Sequence, residues 1–147
     1  MSNFSKTETA APALKLIEWT TDYAVNIPEI DGEHQNLFAM INRLHEALLN
    51  GQGTQLLSAL LTELTQYVQE HFSHEETLMV ASHYPALEAH LQQHRALQRK
   101  VRTLVERLAR GEVTMTIELT LFLSEWIRKH TMTTDRRFGD FLNAAHH

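Results

Sequence analysis

Apolar residues recur every three or four positions along most of this chain, and short polar breaks cut the runs. That period is helical. A first run begins near Asp31, a residue type suited to a helix N-cap, continues to about Asn50, and stops at "GQG", 51–53. A second runs from about Thr54 to Ala81 and is broken by "SHYP", 82–85. A third covers roughly 85–110 and stops at Gly111; a fourth covers roughly 114–130. "TMTT", 131–134, then interrupts the pattern with weak helix formers, and a short last helix is expected near 135–144. Residues 14–30 show no helical period and read as an extended, packed lead-in, while 1–13 are small and polar and read as a flexible N-terminal arm. Four long helices with short connections predict an all-α, antiparallel up-and-down four-helix bundle over 14–147, with an extended N-terminal arm and a short C-terminal helix.

The stripes do not stay apolar. On the second helix Leu57, Leu60, Leu64, Val68 and Leu78 mark one face. At about 100° per residue, His71 and Glu75 lie within about 20° of its centre as measured from Leu64. His74 lies about 80° to one side, at the margin, and Glu76 about 120° to the other, facing water. On the third helix His90 and His94 continue the stripe of Leu97, Val101, Leu104 and Leu108. On the fourth, Leu119, Leu123 and Trp126 lead to His130; on the first, His34 leads Phe38, Ile41, Leu44 and Leu48.

In an antiparallel hairpin, residues equidistant from the turn sit level. His34 and His71 have their midpoint between 52 and 53, inside "GQG". The His71/Glu75 and His90/His94 pairs have theirs between 82 and 83, inside "SHYP"; His94 and His130 have theirs at 112, beside Gly111. Five histidines and a glutamate are therefore expected in one layer. A single buried histidine is commonly a satisfied core residue, but so many polar groups buried together demand partners. A metal supplies them, because neutral imidazole and carboxylate suit iron, zinc, copper or manganese. The set exceeds one tetrahedral zinc site, so two metals are the more natural reading. A dinuclear site wants a second bridging carboxylate. Asp135 is the best candidate, although on a regular helix it lies about 140° from His130 and turns inward only if "TMTT" distorts the helix.

Composition narrows the remaining choices. The 147 residues carry ten histidines and no cysteine, which excludes thiolate sites, disulfides and cysteine catalysis. A net charge of −5 argues against nucleic acid as a partner. No apolar run approaches the roughly 18 residues of a membrane span, and the start lacks the apolar core of a signal peptide. A cytoplasmic monomer that contacts neither membrane nor nucleic acid is the expectation. His45, His74 and His83 are read as far-end, marginal and loop residues, Trp19 and Trp126 as packing anchors, and His146 and His147 as a loose end.

The pattern of one His, H-x-x-x-E, H-x-x-x-H and H-x-x-x-x-D resembles the hemerythrin family, specifically its single-domain bacterial members. The resemblance runs over roughly residues 19–142, through "W…YAVNIPEIDGEHQNLF", "HFSHEETLM", "YPALEAHLQQH" and "HTMTTD". It implies two iron ions (Fe2+/Fe3+), one held by His90, His94 and His130 and the other by His34 and His71. Glu75, Asp135 and an oxo or hydroxo group would bridge them. The open position on the two-histidine iron implies reversible dioxygen binding for storage, transport or delivery, without enzymatic turnover. The alternatives are an oxygen or redox sensor acting through a partner protein, and a di-iron redox enzyme such as a peroxidase or nitric oxide scavenger. One position departs from the family. The residue after the last histidine is often aliphatic in relatives and is Thr131 here. Its hydroxyl either caps the local helix break or makes the pocket more polar and hastens oxidation.

Overall fold

The computed structural model describes residues 15–112 and 116–145. The expected arm at 1–13, the start of the fourth helix near 114, and His146 and His147 lie outside the described residues. Four long helices form the antiparallel bundle: α1 (Pro28–Leu49), α2 (Thr54–Ala81), α3 (Leu87–Ala109) and α4 (Ile117–His130). A π-helical turn, Thr131–Asp135, joins α4 to α5 (Arg136–Ala145). α1 packs on α2 and α4, and α2 packs on α3.

The first helix starts earlier than its sequence suggests. Pro28 occupies the first turn, where its fixed φ suits a helix and its missing N–H costs nothing. Asp31 is thus inside α1 rather than at its cap. Its carboxylate accepts instead from the backbone N–H groups of Val25 (2.8 Å) and Asn26 (3.2 Å), folding the lead-in back onto the helix. That lead-in is otherwise irregular, with one 3₁₀ turn at Thr21–Tyr23.

Three helix ends close the same way. The N–H two residues past the C-cap bonds a carbonyl of the last turn: Gln52 to Ala47, Tyr84 to Met79, Glu112 to Arg107. The closure needs a left-handed residue just before it. Gly51 (φ 67°) and Gly111 (φ 73°) supply it without strain, whereas after α2 the position falls on His83 (φ 57°). Tyr84 follows and is buried against Phe138 and Phe141, with ring centroids 5.0 and 5.1 Å away, which holds that turn in place.

The buried apolar residues fall into two groups. The larger includes Leu37, Phe38, Ile41, Leu61, Leu64, Phe72, Leu97, Leu123 and Ile127; the smaller includes Val25, Ile30, Met79, Tyr84 and Phe138. On α2 the core stripe runs through Leu61, Phe72 and Met79, with the expected Leu60 and Leu78 only half-buried at its edges. Along α1 and α2 the polar layer sits between the two groups. Ile30 precedes His34 by four residues and Leu37 follows it by three; Met79 follows Glu75 by four. The layer is thus sealed by hydrocarbon above and below.

Candidate metal centre

His34, His71, Glu75, His90, His94, His130 and Asp135 are each at most 3% exposed. They converge as two groups. One comprises Glu75, His90, His94, His130 and Asp135; the other comprises His34, His71, Glu75 and Asp135. Within each group one possible ligand atom per residue lies within 4.8 Å of all the others. Glu75 and Asp135 belong to both.

The π turn is what brings Asp135 in. Its i→i+5 hydrogen bonding sets a residue five positions on one turn above its partner, where an α-helix would rotate it away. Asp135 Oδ1 lies 3.1 Å from His130 Nε2 and 3.0 Å from His90 Nε2, while Oδ2 lies 3.1 Å from His34 Nε2. Two threonines of "TMTT" serve the distortion. Thr133 donates its hydroxyl to the Lys129 carbonyl (2.7 Å), and Thr134 donates to Gln93 (3.0 Å). Thr131 does neither: it is fully buried and its hydroxyl has no hydrogen-bond partner, so it does not cap the break.

Three side chains outside the seven fix the rings. His71 Nδ1 donates to Glu33 (2.6 Å), His94 Nδ1 to Glu76 (2.8 Å) and His130 Nδ1 to Gln93 (2.8 Å). With Nδ1 protonated and engaged, the Nε2 lone pair faces inward, the usual arrangement behind a metal-bound imidazole. Glu76 is therefore not the water-facing residue its helical phase suggests. Its side chain is 18% exposed and also pairs with Arg95 (2.8 Å). His74 does lie at the margin, where it shares Glu33 with His71. No spacing rule in the sequence marks Glu33 or Gln93, because each reaches its histidine across a helix–helix boundary. Aromatic faces complete the support: Phe72 stacks on His94 (3.7 Å, 2°) and Trp126 on His130 (4.5 Å, 15°). Trp126 thus braces a ring of the cluster as well as packing on the core. His45 lies elsewhere, bonded to Thr120 (2.8 Å).

The donor atoms crowd, and only two pairs satisfy one another: His34 Nε2 with His71 Nε2 (3.1 Å) and His90 Nε2 with Glu75 Oε1 (3.0 Å). His94 Nε2 and Glu75 Oε1 are 3.0 Å apart, and His130 Nε2 and Asp135 Oδ1 3.1 Å apart. Yet both nitrogens, Glu75 Oε2 and both Asp135 oxygens lack a partner in hydrogen-bond geometry. Buried polar atoms left this way are costly unless their lone pairs share a cation. The donors are imidazole nitrogens and carboxylate oxygens only, a set that suits iron.

Without a cation the cluster must balance charge with protons. Burial opposes charge on His90, but the Asp135 and Glu75 carboxylates, each 3.0 Å from its Nε2, outweigh it and raise its pKa to about 9. Burial, with His130 and His90 beside it, lowers His94 to about 2. Burial and Asp135 push Glu75 well up; Asp135 itself, although buried, is held well down by His130, His34 and His90. His94 binds its proton more weakly folded than unfolded, so its contribution is lost as pH falls below 6.5. His90 binds its proton more tightly folded, so its contribution is lost as pH rises from 6.5 through about 9. Glu75 holds its proton more tightly folded, which offsets His94 between about pH 4.5 and 6.5, so the metal-free protein is expected to be most stable across that window and to lose about 1.4 kcal/mol per pH unit outside it for each net proton exchanged. Urea midpoints of chelator-treated protein from about pH 4 to about pH 9 check this. A flat profile would contradict it.

The arrangement has known counterparts. A family model for the hemerythrin HHE cation binding domain matches residues 25–142. The chain is 33% identical over 122 residues to a bacteriohemerythrin of Pseudomonas aeruginosa, covering 83% of this chain and 78% of that one. It is 29% identical over 132 residues to a bacteriohemerythrin of Methylococcus capsulatus, covering 89% of this chain and all of that one. A crystal structure of wild-type hemerythrin superposes with a TM-score of 0.83 at 29% identity, over 86% of this chain and 98% of that one. A hemerythrin point variant superposes with a TM-score of 0.85 at 28% identity, over 88% of this chain and 98% of that one. With the fold, the layer of donors and these similarities in agreement, this chain belongs to the hemerythrin family.

Proposed function

We propose that the protein binds dioxygen reversibly at a di-iron centre and serves as a carrier or store rather than a catalyst. His90, His94 and His130 would hold one iron and His34 and His71 the other, with Glu75 and Asp135 shared between them. The observation that carries this reading is the pair of donor groups joined by two common carboxylates, one with three imidazoles and one with two. Bound iron would supply a two-electron redox pair able to take an exogenous ligand. The protein's own part is to hold that pair still and dry. Glu33, Glu76 and Gln93 keep three Nε2 atoms aimed inward, and the two apolar groups exclude water above and below. No described helix is long and apolar enough to cross a membrane.

Iron per chain and the visible spectrum under nitrogen and then air test the proposal. Two irons and a charge-transfer band that comes and goes over repeated cycles are expected. Absence of iron overturns the di-iron reading, and irreversible bleaching overturns the carrier reading in favour of redox turnover. Thr131 adds a second measurement. Its buried hydroxyl has no hydrogen-bond partner and makes the surroundings of His130 more polar than an aliphatic side chain would. Thr131→Val is expected to slow irreversible oxidation of the reduced protein in air several-fold. An unchanged rate would remove Thr131 from the account.

A further inference from the structure

A cavity of about 530 Å³ opens between α2 and α3, in the half of the bundle away from their connecting turn. Its volume lies in the range of small-molecule sites. Its floor is apolar and reaches the far side of the bundle, to Leu37 and Ile41 of α1 and Leu123 and Ile127 of α4. Its mouth is polar: Gln66 and Gln69 on α2 face Gln98 and Arg102 on α3. Arg102 is the single cation of the lining, and among the described residues it makes no ion pair. Glu106, one turn along, lines the same cavity and directs an anionic head away from itself and toward the Arg102 end.

We propose that this slot binds a single-chain amphipath with an anionic head, of the fatty-acid carboxylate class. The carboxylate pairs with Arg102 and the hydrocarbon lies along the apolar floor. A helix is about 10–12 Å across with its side chains, so one laid over the mouth would cover α2 and α3 without reaching the α1 and α4 residues beneath. A flexible alkyl chain reaches them. The site is separate from the iron reading, although its floor touches the layer below: Leu37 lies three residues after His34 and Ile127 three before His130.

Calorimetric titration of the full chain, with and without iron, tests this with dodecanoate, 1-dodecanol and dodecyltrimethylammonium below their micelle concentrations. One saturable dodecanoate site per chain is expected, whether or not iron is bound. Affinity should rise about fourfold per methylene from decanoate to dodecanoate. Arg102→Gln should weaken dodecanoate at least tenfold and leave dodecanol unchanged, and Glu106→Gln should tighten dodecanoate. Val105→Trp, which fills the slot from its half-buried edge, should abolish both dodecanoate and dodecanol binding while helical content and iron content persist. The proposal is overturned by absence of saturable dodecanoate binding, by binding that Val105→Trp leaves intact, or by equal affinity for dodecyltrimethylammonium. Concentration-dependent dimerisation that Val105→Trp removes would overturn it in favour of a second copy of this chain. None of these outcomes bears on whether the metal centre carries iron.

Discussion

Asp135→Ala is expected to drop bound iron from two per chain to one or none, and to remove the reversible colour change in air. The carboxylate lies 3.0–3.1 Å from three of the five imidazoles and belongs to both donor groups. No neighbouring acid can replace it, because Glu75 is already shared and the rest of the layer is histidine. Loss of a supporting residue behind a ligand typically costs 10–100-fold in metal affinity, and loss of a shared ligand should exceed that. Folding should survive. Burying five imidazoles with one fewer acid removes much of what raises His90, so the alkaline loss of stability in metal-free protein should weaken in the same variant. Iron analysis, the air–nitrogen spectrum and the pH profile of urea midpoints read these effects separately. A variant that still binds two irons would remove Asp135 from the proposed ligand set.

Gly139→Ala should produce the largest loss of stability from any one-methyl change in the chain. A Cβ at Gly139 would overlap the carbonyl oxygen of Val25 and lie 3.0 Å from the Val25 Cβ. These are backbone and near-backbone atoms, so no rotamer change relieves the overlap. Val25 cannot retreat easily either, since it is 1% exposed and its N–H is held by Asp31. α5 must move instead, and Asp135 ends the π turn that leads into it. Overpacking of this kind costs about 3 kcal/mol, which corresponds to a fall in Tm on the order of 10 °C for a domain of this size. Iron retention should weaken as well. Gly32→Ala is the control: the added Cβ meets nothing within 4 Å, and removing a helix-interior glycine should stabilise by about 0.5–1 kcal/mol. Thermal melts of both variants check the contrast. Equal melting temperatures would show that the Val25–Gly139 approach relaxes freely.

Much of the site was legible before any coordinates, and the reason is geometric. A 3.6-residue period tells which side chains face inward, and short turns tell which of them share a height. His34, His71, Glu75, His90, His94 and His130 all follow from those two regularities, and they do converge in one buried layer. Asp135 required a break in the period. The weak helix formers of "TMTT" marked where a break would fall, while its π-helical form came from the structure. Glu76 does not follow from helical phase. Its phase on α2 points it outward, but α3 lies alongside and presents His94 and Arg95 to it. Glu33 and Gln93 likewise act across helix boundaries that no pattern within one helix records.

The sequence by itself determined the helices, their antiparallel order and the inward faces, because local periodicity and turn chemistry depend only on neighbours along the chain. Only the tertiary structure decided how far α2 and α3 separate beyond the metal layer, which outward-phased acids brace the rings, and how Gly139 abuts Val25. Those depend on distances between helices, set by packing among residues remote in sequence, and no period within one helix records them.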